Sequence, residues 1–256
     1  LPPGDIRQCL VALSADDGSA ALLRQLFNYR FNAGDGLNGH SFGNLFISAL
    51  TEITGNSATA IAEASQMLSI QGKVLPVTLT KSKLKACLMD GTEILGESNI
   101  DQRNINLGTP IDYVYLEPIA YAYPPAIQAI TTADAIVIGP GDIYTSILPN
   151  LLVEDVAQAI KNARATKIYV CNLMTKPGES DGFKASDFLR LVREYLSTTS
   201  PLDYLLVNSS PVPQKLQERY LGYGQQQVVL DLETCQTMVS HVVDAPLLSA
   251  GVYLRH

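Results

Sequence analysis

Short apolar segments alternate with amphipathic segments in the second half of the chain, and this alternation is the strongest constraint on the fold. The apolar segments are AIVIG (135–139), KIYVCN (167–172) and DYLLVN (203–208); the amphipathic ones are 153–163, 184–196 and 212–221. Continuous apolar strands separated by helices are typical of a parallel sheet that is covered by helices on both faces. The sequence therefore predicts an α/β fold with a mostly parallel sheet.

The first half of the chain has a different pattern. Apolar residues recur at helical spacing and predict helices over 6–13, 22–31, 41–54, 57–70 and 124–133. Alternating or continuous apolar residues predict strands over 73–80, 84–90, 92–98 and 112–118. Asp90-Gly91 joins two of these strands and is a strong hairpin signal. We expect this region to form an antiparallel hairpin extension of the same sheet.

Composition excludes some classes of protein. The 256 residues carry a formal net charge of −7, which disfavours a nucleic-acid-binding protein. No apolar run has the length of a membrane span. Cys9, Cys87, Cys171 and Cys235 are widely spaced among apolar neighbours, so we expect reduced core residues rather than a metal or redox motif. An acidic surface still allows a phosphorylated ligand, because local backbone donors can outweigh the global charge.

The segment after the strand 135–139 has an unusual density of glycines and hydroxyl groups. Glycine lets the backbone approach a ligand closely, and successive N–H groups can form an anion-binding nest. We therefore predict a phosphate site here; the alternative is a tight turn with ordinary capping. The candidate residues are Gly139, Gly141, Asp142, Tyr144, Thr145 and Ser146.

A second polar segment, 171–183, also follows a strand. Ligands in open α/β sheets bind at the carboxyl ends of the strands, so this segment is a candidate ligand wall. A solvated loop is an equal alternative. Its polar residues are Asn172, Thr175, Lys176, Glu179 and Asp181.

Two further segments could contact an anion or a metal. His40 or Ser41 would cap the helix predicted over 41–54, Asn44 lies on its first turn, and a helix N-terminus attracts anions. Arg7 could bind a phosphate and Asp5 a metal, but an N-cap and a surface charge explain them equally well. The ADDGS stretch at 15–19 favours a turn and a cap over a metal site.

The motifs of several enzyme classes are missing from the sequence. It contains no zinc spacing, Walker loop, GxGxxG or recognisable Ser-His-Asp arrangement. The residues therefore support a phosphate or nucleotide site better than they support any one reaction.

Five segments together resemble the YvcK, or gluconeogenesis factor, branch of the CofD-like family. They are LPPGDIRQCLVALS (1–14), GHSFGNLFISALTEITG (39–55), QGKVLPVT (71–78), IGPGDIYTSILPNLLV (138–153) and CNLMTKPGESDGF (171–183). The resemblance runs in order to about residue 230, weakens between about 225 and 250 and returns at YLRH. It implies a Rossmann-like α/β fold in a cytoplasmic bacterial protein.

The same resemblance implies a ligand and its contacts. Members of this branch bind UDP-sugars, notably UDP-N-acetylglucosamine, and support cell shape and growth on gluconeogenic carbon. A tyrosine of the last helix and a late arginine contact the UDP-sugar, and they correspond to Tyr220, with Tyr223 as the alternative, and Arg255. The implied cleft is also lined by Asn44, Asn150, Asn172, Thr175 and the 139–146 residues named above.

The resemblance also leaves alternatives open. The CofD relatives are transferases that attach phospholactate to a deazaflavin, and that function would add a requirement for Mg²⁺. A homodimer is a further alternative. The family pattern places a strand, a GGGTG-type phosphate loop and an ADDGGSSG stretch before PPGDIR, and the sequence lacks them. We therefore expect a single domain over 1–256 without the family's first strand–loop unit.

Overall fold

The structure, a computed structural model, describes residues 3–14, 18–33, 36–102, 108–198 and 202–248. The chain divides into two compact units, Leu1–Lys81 and Ser82–His256. In the described residues, the first unit is helical, and both sheets belong to the second.

Four helices form the described part of the first unit: Pro3–Leu13 (α1), Gly18–Asn28 (α2), Phe42–Thr54 (α3) and Ser57–Met67 (α4). Their core contains the buried side chains Leu10, Val11, Phe27, Ile47, Ala64 and Leu68. The rings of Phe42 and Phe46 pack edge-on against Phe27, with centroid distances of 6.3 and 5.2 Å. The helices predicted from apolar spacing are therefore confirmed, with small shifts at their ends.

The ends of α3 show local capping chemistry. Ser41 is the N-cap, and its hydroxyl accepts a hydrogen bond from the backbone N–H of Asn44 at 3.3 Å. Gly55 ends the helix in the left-handed region, with φ +77°. Of the two predicted caps, Ser41 is confirmed and His40 is not.

The strand predicted over 73–80 is wrong, because that segment has no strand. Its apolar residues gave the signal, but Pro76 has no backbone N–H to donate to a sheet.

An antiparallel sheet of three strands opens the second unit. Its strands are Lys83–Leu88 (β1), Glu93–Leu95 (β2) and Ile111–Glu117 (β3), in the order β2-β1-β3. Gly91 turns the β1–β2 hairpin with φ +84°, and the backbone N–H of Thr92 donates to Asp90 Oδ1 at 2.9 Å. The predicted hairpin is confirmed, and it forms a sheet of its own with β3. A short helix, Glu97–Asp101 (α5), replaces the end of the predicted strand 92–98.

A parallel sheet of four strands follows. The strands are Ala135–Ile138 (β4), Thr166–Val170 (β5), Leu202–Asn208 (β6) and Val239–Ala245 (β7), in the order β4-β5-β6-β7. The helices are Pro124–Thr131 (α6), Leu148–Leu151 (α7), Val156–Asn162 (α8), Ala185–Tyr195 (α9), Gln214–Leu221 (α10) and Leu232–Gln236 (α11). Helix α9 contacts both α7 and α11, and its Phe188 and Leu189 are fully buried. The α/β fold predicted from the strand–helix alternation is confirmed.

The cysteines differ in their surroundings. Cys171 and Cys235 are buried, as expected, whereas Cys87 is half-buried and Cys9 is exposed. The expectation of a core position is therefore wrong for Cys9. All four are free thiols. Among the described helices, none combines the length and apolar character needed to cross a bilayer.

We expect Phe27→Ala to lower the free energy of unfolding by about 3–5 kcal/mol, because it removes the aromatic centre of the first unit's core. Ile53→Ala is the control, since Ile53 lies on α3 with 80% of its surface exposed; it should change stability by about 0.5 kcal/mol or less. Urea unfolding followed by circular dichroism measures both. Equal effects of the two variants would contradict this assignment of the core.

Candidate functional site

The chain leaves β4 through a turn that requires glycine. Gly139 has φ +81°, and a Cβ there would lie 3.0 Å from the carbonyl oxygen of Val170 at the end of β5. At Gly141, a Cβ would lie 3.3 Å from Ser146 Cβ. Both glycines therefore let the backbone pack closely where two parallel strands end.

A π-helical turn, Ile143–Ile147, continues this loop and runs into α7. The carbonyl of Asp142 accepts hydrogen bonds from the backbone N–H groups of Ser146 and Ile147, at 2.8 and 3.0 Å. Tyr144 and Thr145 are 3% and 6% exposed, so these two predicted ligand hydroxyls lie inside the protein. Ser146 is half-buried, and its carbonyl accepts from Asn150 Nδ2 at 2.7 Å.

Asn172 links the exits of β4 and β5. Its Nδ2 donates to the carbonyl of Gly141 at 2.8 Å, which fixes the orientation of the amide because a carbonyl can only accept. Asn172 Oδ1 is buried and accepts no hydrogen bond from a described residue. A ligand that carries a hydroxyl or N–H group could donate to this oxygen.

Thr175 contributes to the same edge through its backbone and side chain. Its N–H donates to the carbonyl of Gln226 at 2.7 Å, and its hydroxyl accepts from the N–H of Gln226 at 3.0 Å. The side chain is 4% exposed. Thr175 therefore fixes the 171–183 segment against residues 226–228.

A lysine and three carboxylates form a charged cluster beside the glycine loop. Lys176 Nζ pairs with Asp101, lies 2.6 Å from Asp142 Oδ2 and lies 2.9 Å from Glu179 Oε1. Burial alone would lower the pKa of Lys176, but its hydrogen bonds to Asp101 and Asp142 outweigh burial and raise that pKa. Lys176 is therefore a permanent cation at the centre of the cluster.

Glu179 is the buried member of the cluster. Its side chain has no exposed surface, and neither carboxylate oxygen accepts a hydrogen bond of acceptable geometry from a described residue. Burial raises its pKa to about 7; Lys176 opposes this rise, and the carboxylates of Asp142 and Asp101 add to it. A carboxyl group that titrates near neutrality is common at functional sites.

A cavity of about 570 Å³ lies at the carboxyl ends of β6 and β7. Ligand pockets typically have ~300–1,000 Å³. Asn208 and Asp244 line it from the strand ends, and Gln217 and Leu221 line it from α10. Tyr220 is half-buried on the same helix, beside Leu221. Residues 226–230 and Ser209 complete the lining.

The remaining predicted site residues belong to the first unit or lie outside the described part. Arg7 NH1 donates to Asn28 Oδ1 at 2.8 Å, and its side chain lies against Gly43, where a Cβ would be 2.9 Å away. Asn44 Oδ1 is buried and has no hydrogen-bond donor among the described residues. The side chain of Asp5 and all of Arg255 lie outside the described residues, as do residues 15–17.

Sequence reasoning missed two contributors to this edge of the sheet. Asp101 lies 75 residues before its partner Lys176, at the end of a short helix that the sequence patterns do not predict. Gln226 lies in the range of about 225–250, where the resemblance to the CofD-like family weakens. The sequence gives no local signal for either residue, because both act through contacts between distant segments.

Comparison with known proteins identifies the family. The family model described as 2-phospho-L-lactate transferase CofD matches residues 1–248. The gluconeogenesis factor of Bacillus subtilis (strain 168) is 40% identical over 243 residues, which are 94% of this chain and 74% of that protein. The gluconeogenesis factor of Halalkalibacterium halodurans is 40% identical over 257 residues, 100% of this chain and 77% of that protein. The chain belongs to the gluconeogenesis factor branch of the CofD family.

Two further comparisons concern length and fold. A Nostoc relative is 45% identical over 249 residues, 97% of this chain but 53% of its own length. The chain thus spans about half the length of that relative. A crystal structure of a Bacillus halodurans protein has a TM-score of 0.92 and 39% identity, and the match covers 100% of this chain and 80% of that one.

In buffer without divalent cations, the free energy of unfolding should fall as the pH rises from about 4.5 to about 7. The folded state keeps a proton on Glu179 that the unfolded chain releases in this interval, so stability decreases as the pH increases. At about 1.4 kcal/mol per pKa unit, the loss is about 3 kcal/mol. Glu179→Gln should remove this part of the fall, and Glu52→Gln, at an exposed position, should not. Urea unfolding at several pH values would contradict the assignment if both variants kept the parent's slope.

Proposed function

We propose that the chain binds a UDP-sugar, with UDP-N-acetylglucosamine as the ligand, and acts as a cytoplasmic regulatory protein. The cavity at the ends of β6 and β7 carries this proposal, because it lies beside α10, the helix of Tyr220. The family resemblance assigns this tyrosine to the UDP-sugar. Support of cell shape and of growth on gluconeogenic carbon is the corresponding role in the cell.

The shape and polarity of the strand ends support a nucleotide sugar. Amide side chains of Asn208, Gln217 and Gln227 line the cavity, and amides can both donate to and accept from a base or a sugar. The unpaired Asn172 Oδ1 adds an acceptor at the neighbouring strand exit. A UDP-sugar carries N–H and hydroxyl donors in its base, ribose and sugar.

The 139–146 loop remains a candidate for the diphosphate. Its glycines keep the backbone free of side chains at two positions, so a phosphate could approach main-chain N–H groups. Tyr144 and Thr145 are buried, whereas Gly139, Gly141, Asp142 and Ser146 are the candidates of this loop that retain some exposed surface.

A CofD-like transferase is the second candidate, favoured by the match to the family model over residues 1–248. It would take a deazaflavin as acceptor and require Mg²⁺. The two functions are separated by one pair of measurements. UDP-N-acetylglucosamine binding without turnover supports the first, and metal-dependent transfer of phospholactate to a deazaflavin supports the second.

We expect Arg255→Ala to weaken UDP-N-acetylglucosamine binding by about 1.5–3 kcal/mol, which is the loss of one charge-assisted hydrogen bond. Arg190→Ala is a matched control, because Arg190 is an exposed arginine of α9 that pairs with Asp187. Isothermal titration calorimetry on both variants and the parent measures the change. An unchanged affinity in Arg255→Ala would remove this residue from the site, and no binding by the parent would end the UDP-sugar proposal.

A further inference from the structure

Three carboxylates from distant segments converge next to the glycine loop. Asp101 comes from the end of α5, Asp142 precedes the π-helical turn, and Glu179 lies in the segment after β5. One oxygen from each lies within 4.8 Å of the other two. Oxygen ligands bind Mg²⁺ at ~2.1 Å and Ca²⁺ at ~2.3–2.6 Å, so oxygens on opposite sides of one ion are separated by ~4–5 Å. The three carboxylates can therefore share one divalent cation with only small movements.

The residues that the structure describes do not balance the charge of the cluster. Among them, Lys176 is the cation that pairs with all three acids, so the ionised cluster keeps two negative charges that these pairs leave uncompensated. Asp101 and Asp142 are 43% exposed, which leaves a path from solvent to the cluster. A hydrated cation could enter by this path and keep some of its waters, as Mg²⁺ usually does.

Glu179 supplies the second, independent indication of a missing ligand. Its carboxylate is fully buried and points at the cluster; Lys176 Nζ lies 2.9 Å from Oε1, but neither oxygen accepts a hydrogen bond of acceptable geometry from a described residue, and no described cation pairs with Oε2. Buried carboxylates are normally hydrogen-bonded, paired or bound to a metal, because an unsatisfied charge in the interior is costly. One ammonium shared among three acids leaves most of the lone pairs of Glu179 unused.

We propose that Asp101, Asp142 and Glu179 bind a hard divalent cation, Mg²⁺ or Mn²⁺, in exchange with the ammonium group of Lys176. Lys176 is an internal competitor that occupies the position of the cation when none is bound. The Lys176 side chain is 19% exposed, so its ammonium group can move towards solvent when a metal ion takes its place.

The exchange would also change how the site receives an anion, and this step rests on the proposed UDP-sugar function. Three carboxylates, a divalent ion and the ammonium together are neutral, whereas the cluster without the ion is negative. Removing that negative charge beside the 139–146 loop removes its repulsion of a diphosphate. The metal site itself does not depend on this step.

Mn²⁺ binding to the EDTA-treated chain tests the proposal in the absence of any nucleotide. Electron paramagnetic resonance measures free Mn²⁺ directly, so a failed UDP-sugar experiment has no influence on the result. We expect one Mn²⁺ per chain, displaced by excess Mg²⁺. No binding up to millimolar Mn²⁺ would overturn the proposal.

Variants separate a metal site from a structural ion-pair cluster. Asp101→Asn and Glu179→Gln should each weaken Mn²⁺ binding about tenfold or more, because affinity for hard cations follows the number of charged ligands. Lys176→Met should strengthen binding, since it removes the competitor. Asp155→Asn, an exposed acid in the same unit, is the control and should bind as the parent does.

Two results with these variants would contradict the proposed metal site. Unchanged affinity in both acid variants would show that Mn²⁺ binds elsewhere. Weaker binding in Lys176→Met, with its circular dichroism spectrum unchanged, would show that Lys176 organises the acids rather than competing with the ion. If Lys176→Met fails to fold, the mild surface change Asp101→Asn and the titration of the parent still decide the question.

Discussion

The parallel register of β4 and β5 is the constraint on which the candidate site depends. Ile138 pairs with Tyr169, so the two strands end together, and Gly139 meets the carbonyl of Val170 with no room for a side chain. Because the strands run in the same direction, every loop that leaves them emerges at one edge of the sheet. The bond from Asn172 to Gly141 then fixes one loop against the other.

Ion pairs are the second interaction that holds the loops together at the carboxyl edge of the parallel sheet. Lys176 pairs with acids that lie 75 and 34 residues away in sequence, and it connects α5 and the glycine loop to the segment after β5. Breaking a buried ion pair by removing one partner is costly, since the other charge is left uncompensated. The Glu179 side chain has no exposed surface, and among the described residues its charge is compensated by Lys176, which it shares with Asp101 and Asp142.

Much of the fold, but less of the site, could be predicted from sequence. Periodicity located β4, β5 and β6, and Asp90-Gly91 located the hairpin, because these signals are local. β7 was missed because its sequence, VSHVVDA, mixes apolar and polar residues on a sheet edge where only Val239 is buried. Asp101 could not be found, since nothing near it in sequence indicates a partner beyond residue 170. The burial of Tyr144 and Thr145 could not be predicted either, because burial depends on packing, which residue spacing does not encode.

The two environments at the strand ends make different demands on a ligand. The cavity beside α10 is lined by several amide side chains and by one acid, Asp244, and such donors and acceptors suit a base or a sugar. The glycine loop lies next to Asp142, whose carboxylate belongs to a cluster with more negative than positive charge. Backbone N–H groups alone would have to overcome that repulsion to hold a diphosphate. An anionic ligand at this edge therefore needs positive charge beyond what the described residues provide. The carboxylates can supply that charge indirectly, by binding a metal cation.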